Sequence, residues 1–155
     1  MSAEHEETAG AREVTALMAA GAAHGPWSLA AAWHLLQASG LLGRPELAAH
    51  LRYGDLSGLD GVSFPAAWIT HDGWETIART IDRKSMWRWP EPEPQEEAMV
   101  RLAASLTGGP PVDLLDLACE AGRSNPSHAA RIAEAILIVT GANQYHQLTR
   151  SPASA

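Results

Sequence analysis

Apolar residues recur every three or four positions through most of the chain, which is the spacing of amphipathic helices. Proline and glycine punctuate these stretches: Pro26 suits the first turn of a helix, and Gly40 and Gly122 suit helix ends. The pattern predicts a mostly α fold, a compact bundle of six to seven helices. The expected helices cover residues 12–24, 27–39, 45–53, 73–85, 95–106, 112–121 and 128–140.

The stretch between residues 55 and 64 breaks this helical pattern. Gly58 and Gly61 fall within it, which predicts a loop or one very short strand. Residues 66–71 fit either a helix or a strand, so we expect at most a short strand around residues 66–70. One arrangement that fits the pattern is a pair of three-helix units with an irregular middle segment between them.

The length of 155 residues suits one domain. We expect a disordered acidic tail over residues 1–10, a single helical domain over residues 11–142, and a loose C-terminus over residues 143–155. Within the domain, a stiff Pro/Glu linker over residues 90–97 separates a first part, residues 11–89, from a second part, residues 98–142. Apolar residues at helical spacing, including Leu114 and Leu117, are expected in the core.

The negative charge is concentrated in two segments. The formal net charge is −7, and it equals the charge of the seven glutamates in residues 1–10 and 90–97, because the other 11 acids balance the 11 bases. The body of the chain is therefore neutral, and the overall acidity is only weak evidence against nucleic-acid binding. These glutamates are Glu4, Glu6, Glu7, Glu91, Glu93, Glu96 and Glu97.

The sequence lacks a membrane span, a signal peptide and a second cysteine, and these absences guide our expectations of compartment and redox chemistry. No apolar run reaches the roughly 18 residues of a membrane span, and the first ten residues lack the apolar core of a signal peptide. The single cysteine, Cys119, excludes an internal disulfide and a cysteine-based zinc site. Its place on an apolar helix face predicts an inert thiol. We expect a cytoplasmic protein with no membrane contact and no cofactor.

Residues 117–132, LACEAGRSNPSHAARI, have the features of a two-helix motif. Ala118 allows two helices to approach, Gly122 suits the turn, and Ser127 suits the cap of the second helix. The segment resembles the helix-turn-helix of DNA-binding proteins, although Arg123 replaces an apolar residue and one extra residue lies around Asn125. The resemblance implies an alternative function, a DNA-binding regulator with a degenerate motif at about residues 114–136. An ordinary antiparallel helix pair is the other interpretation. The residues that would face DNA are Arg123, Ser124, Ser127, His128 and Arg131.

His71 and Asp72 resemble the His-Asp dipeptide of metal-dependent phosphohydrolases, which implies a third function, a metal-dependent hydrolase. Further ligands would have to come from residues such as His34 or His50. Asp72 has another explanation, since Asp72 and Glu75 fit a capping box at a helix start. The sequence contains no phosphate-binding loop and no nucleophile elbow. We therefore assign no catalytic residue and no metal ligand.

The chain is rich in tryptophan, with six against one phenylalanine and two tyrosines. Residues 79–89, RTIDRKSMWRW, interleave two of these tryptophans with bases. Tryptophan and arginine dominate binding energy at protein interfaces, while the same mixture can also bind single-stranded nucleic acid or simply complement a helix C-terminus. Our leading hypothesis is a non-catalytic adaptor or regulatory module that binds an acidic protein partner. In the free protein, the acids of residues 90–97 would cover the bases. The predicted partner-binding residues are Arg83, Lys84, Trp87, Arg88 and Trp89.

Overall fold

The computed structural model describes residues 2–42, 44–58, 60–82 and 92–141, with only the backbone of residues 2–11, 82 and 124. In this part of the chain, helices pack against one another and against one small sheet, so the predicted mostly α, compact fold is confirmed. None of the described helices is both long enough and apolar enough to cross a membrane. The elements are α1 (Ser2–His24), α2 (Trp27–Ser39), α3 (Pro45–Ala48), β1 (Leu51–Ser57), β2 (Ser63–Ile69), α4 (His71–Asp82), α5 (Pro94–Leu106), α6 (Leu114–Ser124) and α7 (Pro126–Val139).

The first helix begins ten residues earlier than the sequence predicts. Helix α1 starts at Ser2, so residues 2–10 continue the helix and are not the disordered tail that we expected. The glutamates at positions 4, 6 and 7 suit this arrangement, because acidic residues near a helix N-terminus stabilise the positive end of its dipole. The predicted loose C-terminus, residues 143–155, lies outside the described residues.

A β-hairpin replaces the predicted third helix. Helix α3 has only four residues, and β1 pairs with β2 in antiparallel register from Leu51–Ile69 to Ser57–Ser63. The reversal uses Gly61 at φ 79°, and the amide of Gly58 donates to the carbonyl of Val62 at 2.9 Å. The helical prediction for residues 45–53 is confirmed for residues 45–48 and wrong for residues 49–53, because the spacing of Leu47 and Leu51 suits a helix, while the turn at Asp60 and Gly61 favours strand pairing.

Helix α4 begins at a different cap from the one the sequence predicts. Thr70 is the N-cap, since its Oγ1 accepts a hydrogen bond from the amide of Gly73 at 3.2 Å. Asp72 is therefore the second residue of the helix, and the predicted capping box of Asp72 and Glu75 is wrong. The helix begins two residues earlier than expected, which leaves the carboxylate of Asp72 exposed.

Half of the predicted Pro/Glu linker belongs to helix α5. Pro94 occupies the first turn, where its missing amide hydrogen costs nothing. Glu93 and Glu96 form a capping box, in which the backbone amide of Glu93 donates to Oε2 of Glu96 at 3.1 Å. Pro92 is buried against the protein. The linker prediction is wrong for residues 94–97, because proline at a helix start promotes a helix and breaks one only in its interior. Residues 90 and 91 lie outside the described residues.

A single hydrophobic core joins the first and second parts of the chain. Helix α2 lies at its centre and packs on both α5 and α7, so the two expected three-helix units share one interior. Much of this packing uses alanine, which lets helix backbones approach closely. Ala31, Ala103, Ala121 and Ala135 are fully buried.

Candidate functional site

A groove lies where the connection between α5 and α6 crosses helices α4 and α5. Its apolar surface comes from Ala78 on α4, Ala104 on α5 and the segment Pro110–Val112, and its volume is about 230 Å³. Three charged residues complete the lining: Glu75, Arg79 and Arg101. The groove therefore combines an apolar floor with charged walls.

Two glycines bring the connecting segment back onto α5. Gly108 adopts the left-handed region at φ 95°, which favours glycine. At Gly109 a β-carbon would lie only 2.7 Å from the carbonyl oxygen of Ala104, so no side chain fits there. The amide of Gly109 donates to that same carbonyl at 2.8 Å. This reversal places Pro110 and Pro111 against the helices and so creates the groove.

The charges of the groove lie in its walls. Arg79 is 69% exposed and forms an ion pair with Glu75, one helical turn away. An exposed pair of this kind contributes only about 0.3–0.5 kcal/mol to stability, so a partner's carboxylate can displace Glu75 at little cost. Arg101 is half-buried in the opposite wall, where it already interacts with the protein.

Helix α6 begins beside the groove and exposes large apolar side chains. Leu117 and Ala121 face the core, and this orientation turns Leu115 to the opposite side of the helix. Leu114 is 41% exposed and Leu115 is 73% exposed, so the prediction that Leu114 lies in the core is wrong. Cys119, one turn after Leu115, is also exposed and does not lie on a buried apolar face as we expected.

The predicted partner-binding residues lie outside the part of the chain that the structure describes. They are Arg83, Lys84, Trp87, Arg88 and Trp89. Their segment follows directly from α4, whose last described residue is Asp82, one turn beyond Arg79. Of the bases in residues 79–89, Arg79 alone falls within the described residues, and it lines the groove.

The described tryptophans serve mainly to fill the protein interior. Trp74 is 2% exposed, and its indole Nε1 has no hydrogen-bond partner among the described residues. Trp33, Trp68 and Trp74 surround a cavity of about 20 Å³, which is room for one water molecule. Trp27 is half-buried next to Gly141 at the end of α7. These four residues account for most of the tryptophan content without a binding role.

The segment that resembles a helix-turn-helix does not form the expected turn. Helices α6 and α7 are joined by Asn125 alone, whereas the motif needs a turn of three to four residues. Gly122 lies inside α6, where a β-carbon would be 3.3 Å from that of Ala129. Asn125 caps α7 by accepting from the amide of Ser127 at 3.0 Å, so the prediction of Ser127 as the cap is wrong.

The proposed DNA-facing residues occupy varied environments. Arg123 and Ser127 are exposed, and the side chain of Ser124 lies outside the described residues. His128 is half-buried, and its Nδ1 has no partner within the described residues. Arg131 lies 3.9 Å from Glu134, the partner of a histidine on α2. DNA binding through these residues stays a prediction.

Three potential metal ligands meet at the first turns of α4. Donor atoms of His71, Asp72 and Glu75 all lie within 4.8 Å of one another. Their position is poor for a cation, because a helix N-terminus carries positive potential and Glu75 already pairs with Arg79. His34 is too distant in the fold to contribute, since it pairs with Glu134 between α2 and α7.

A second, polar groove contains one of the ligands suggested by the sequence. His50 and Asp72 both line this groove, which has a volume of about 290 Å³ and also includes Arg52, Thr70 and Thr76. The close contact of α4 with His50 requires Gly73, whose β-carbon would lie 3.2 Å from that of His50. The structure thus brings His50 and Asp72 to one groove.

Comparison with known proteins yields no relative: no family model, no curated protein and no solved structure matches the chain. The functional argument therefore rests on the residues themselves. Sequence reasoning missed the groove residues Ala78, Arg101, Ala104 and Val112. The signal that pointed to them was the run Gly108-Gly109-Pro110-Pro111, which breaks α5 and reverses the chain.

Proposed function

We propose that this protein is a non-catalytic protein-binding module that takes an acidic segment with large apolar side chains from its partner. The observation that carries the proposal is the groove between α4, α5 and Pro110–Val112, with its apolar floor and two arginines in its walls. A lining of this composition suits a segment that carries both an apolar side chain and a carboxylate.

The chemistry of recognition follows from the lining. An apolar side chain of the partner would displace water from Pro110, Pro111 and Val112, which gives non-directional affinity. A carboxylate beside it would accept charge-assisted hydrogen bonds from the guanidinium of Arg79, in place of Glu75. Glu75 is thus the internal competitor for the partner. The acids that we first expected in this role include Glu93 and Glu96, and these two instead cap α5.

The basic tryptophan segment provides a second contact in this proposal. Residues 83–89 follow α4, the helix that carries Arg79, and they add three bases and two tryptophans of the type that anchors interfaces. We propose that an acidic partner contacts these residues as well as the groove. Truncating Trp87 or Trp89 to alanine would then cost about 2 kcal/mol of binding energy, the size expected of an interface hot spot.

Selection from a random peptide library displayed on phage tests this proposal without knowledge of the natural partner. With the full chain as bait, we expect enrichment of peptides that place Asp or Glu next to Leu, Phe or Trp. The variant Arg79→Ala should lose this enrichment, and the matched control Arg52→Ala, an exposed arginine of the polar groove, should keep it. Enrichment of basic peptides, or equal selection by both variants, would overturn the proposal.

A further inference from the structure

The segment next to the groove has the composition that the groove is proposed to bind. Asp113 and Asp116 flank Leu114 and Leu115 at the start of α6, and all four residues are exposed. Leu115 is the most exposed large apolar residue of the described chain, at 73%. Its own helix supplies nothing to cover it, because Leu117 and Ala121 occupy the inward face. We call residues 113–116 the α6 edge.

We propose that the partner is a second copy of this chain, with the α6 edge of each copy seated in the groove of the other. This inference rests on the proposed function of the groove and names its occupant. The charges are complementary, since Arg79 can exchange its exposed ion pair with Glu75 for a carboxylate of the α6 edge, which carries Asp113 and Asp116. The apolar parts also match, since Leu114 and Leu115 would meet Pro110, Pro111 and Val112, the apolar lining residues that remain accessible.

The position of the two surfaces on one chain favours a symmetric dimer. Val112 lines the groove, and the α6 edge begins at the next residue, Asp113. A two-fold rotation about an axis between these surfaces forms both contacts at once, which is the self-complementary arrangement of an isologous interface. The groove and the α6 edge of each copy are therefore both occupied in the dimer. No groove stays open to bind a third copy, so the assembly stops at two.

The expected dimer is weak and depends on salt. Each contact centres on two exposed leucines and a small groove of about 230 Å³, so we expect a small interface of the transient class. Attraction between the arginines and the aspartates is screened by salt. Dimerisation should therefore weaken as ionic strength rises, whereas a purely apolar interface would not weaken in this way.

Sedimentation velocity on the full chain tests the proposal. We examine concentrations from about 10 μM to 1 mM, the range that brackets a small transient interface. The wild type should shift from monomer to dimer, and Leu115→Glu should weaken dimerisation about tenfold or more, as loss of a central contact does. The matched control is Leu137→Glu, an exposed leucine on α7, which should dimerise like the wild type.

A charge exchange separates a direct contact from a general loss of structure. Arg79→Glu alone and Asp116→Arg alone should each weaken the dimer, and the double variant should restore it, with circular dichroism confirming that each protein is folded. A wild type that stays monomeric at every concentration, or a dimer that Leu115→Glu leaves intact, would overturn the second-copy proposal. If the groove does not bind acidic segments at all, the result will be different: the peptide selection will not depend on Arg79.

Discussion

The imidazole Nε2 of His34 on α2 lies 2.6 Å from the carboxylate Oε2 of Glu134 on α7, and this pair joins two helices across 100 positions of sequence. A contact this short requires Nε2 to carry a proton and donate it to the carboxylate. Arg131 lies 3.4 Å from the same nitrogen, which therefore cannot also accept from the guanidinium. Arg131 instead adds positive charge beside Glu134, so this cluster holds α7 on α2.

Double substitution of His34 and Glu134 measures the strength of this link. We expect the variants His34→Gln and Glu134→Gln to show a coupling free energy of about 0.5–1 kcal/mol, because the pair is only partly screened from water. Urea unfolding of the two single variants and the double variant gives this value. Glu120→Gln, at an exposed site on α6, is the control and should leave stability unchanged. A coupling energy of zero would show that the pair does not stabilise the contact between α2 and α7.

Gly73 and Gly21 should respond in opposite ways to alanine. A β-carbon on Gly73 would lie 3.0 Å from Ile69 and 3.2 Å from His50, so Gly73→Ala should lower the free energy of unfolding by about 1–3 kcal/mol. Gly21 in α1 has its nearest neighbours at 3.7 Å, and Gly21→Ala should raise stability by up to about 1 kcal/mol through helix propensity. Thermal unfolding of both variants checks the prediction, and a stable Gly73→Ala protein would contradict the close approach of α4 to His50.

The cap of α7 distinguishes Asn125 from Ser127. The side chain of Asn125 accepts from the amide of Ser127, so Asn125→Ala should cost about 1 kcal/mol of stability. Ser127 is exposed and contributes no cap, so Ser127→Ala should change stability by less than about 0.5 kcal/mol. Chemical denaturation of the two variants gives the comparison. If Ser127→Ala lowered stability more than Asn125→Ala, Ser127 would be the cap of α7, as the sequence predicts.

The metal-hydrolase alternative predicts a response to zinc that we do not expect. His71, Asp72 and Glu75 lie at the positive end of α4, and Glu75 is paired with Arg79. We expect about a tenfold molar excess of Zn²⁺ to leave the melting temperature unchanged, since a ligand stabilises a fold only by binding its native state. A clear rise that is lost in His71→Ala would establish a metal site at this turn.

The limits of sequence prediction in this protein have physical reasons. Helices α2, α5 and α7 and residues 12–24 of α1 were predictable because local apolar spacing and their glycine or proline ends agree with the final packing. The hairpin was missed because β1 is held by pairing with distant β2, and its own pattern, with Leu51 four residues after Leu47, suits a helix. The fold class was predictable, but the pairing partner of a strand is not a local property.

The candidate site depended even more on tertiary structure. The groove exists because Gly108 and Gly109 return the chain onto helices α4 and α5. The spacing of apolar residues does not predict which helices the returning segment packs against. Leu114 and Leu117 both fit an apolar stripe in the sequence. Only the orientation of α6 on its neighbours decides that Leu117 is buried and Leu114 exposed. The prediction of an acidic partner for residues 79–89 came from composition and stays a prediction, since Arg79 is the one base of this segment among the described residues.

Chemical-shift mapping of a selected peptide is the most direct test of the central claim, that the groove binds an acidic apolar segment. The measurement titrates ¹⁵N-labelled protein with the acidic peptide that the phage selection yields. The account predicts that the largest shifts occur at the backbone amides of Ala78, Arg79, Ala104 and Val112, and that Arg79→Ala abolishes them. Shifts confined to the polar groove around His50 and Asp72, or to α7, would contradict the account.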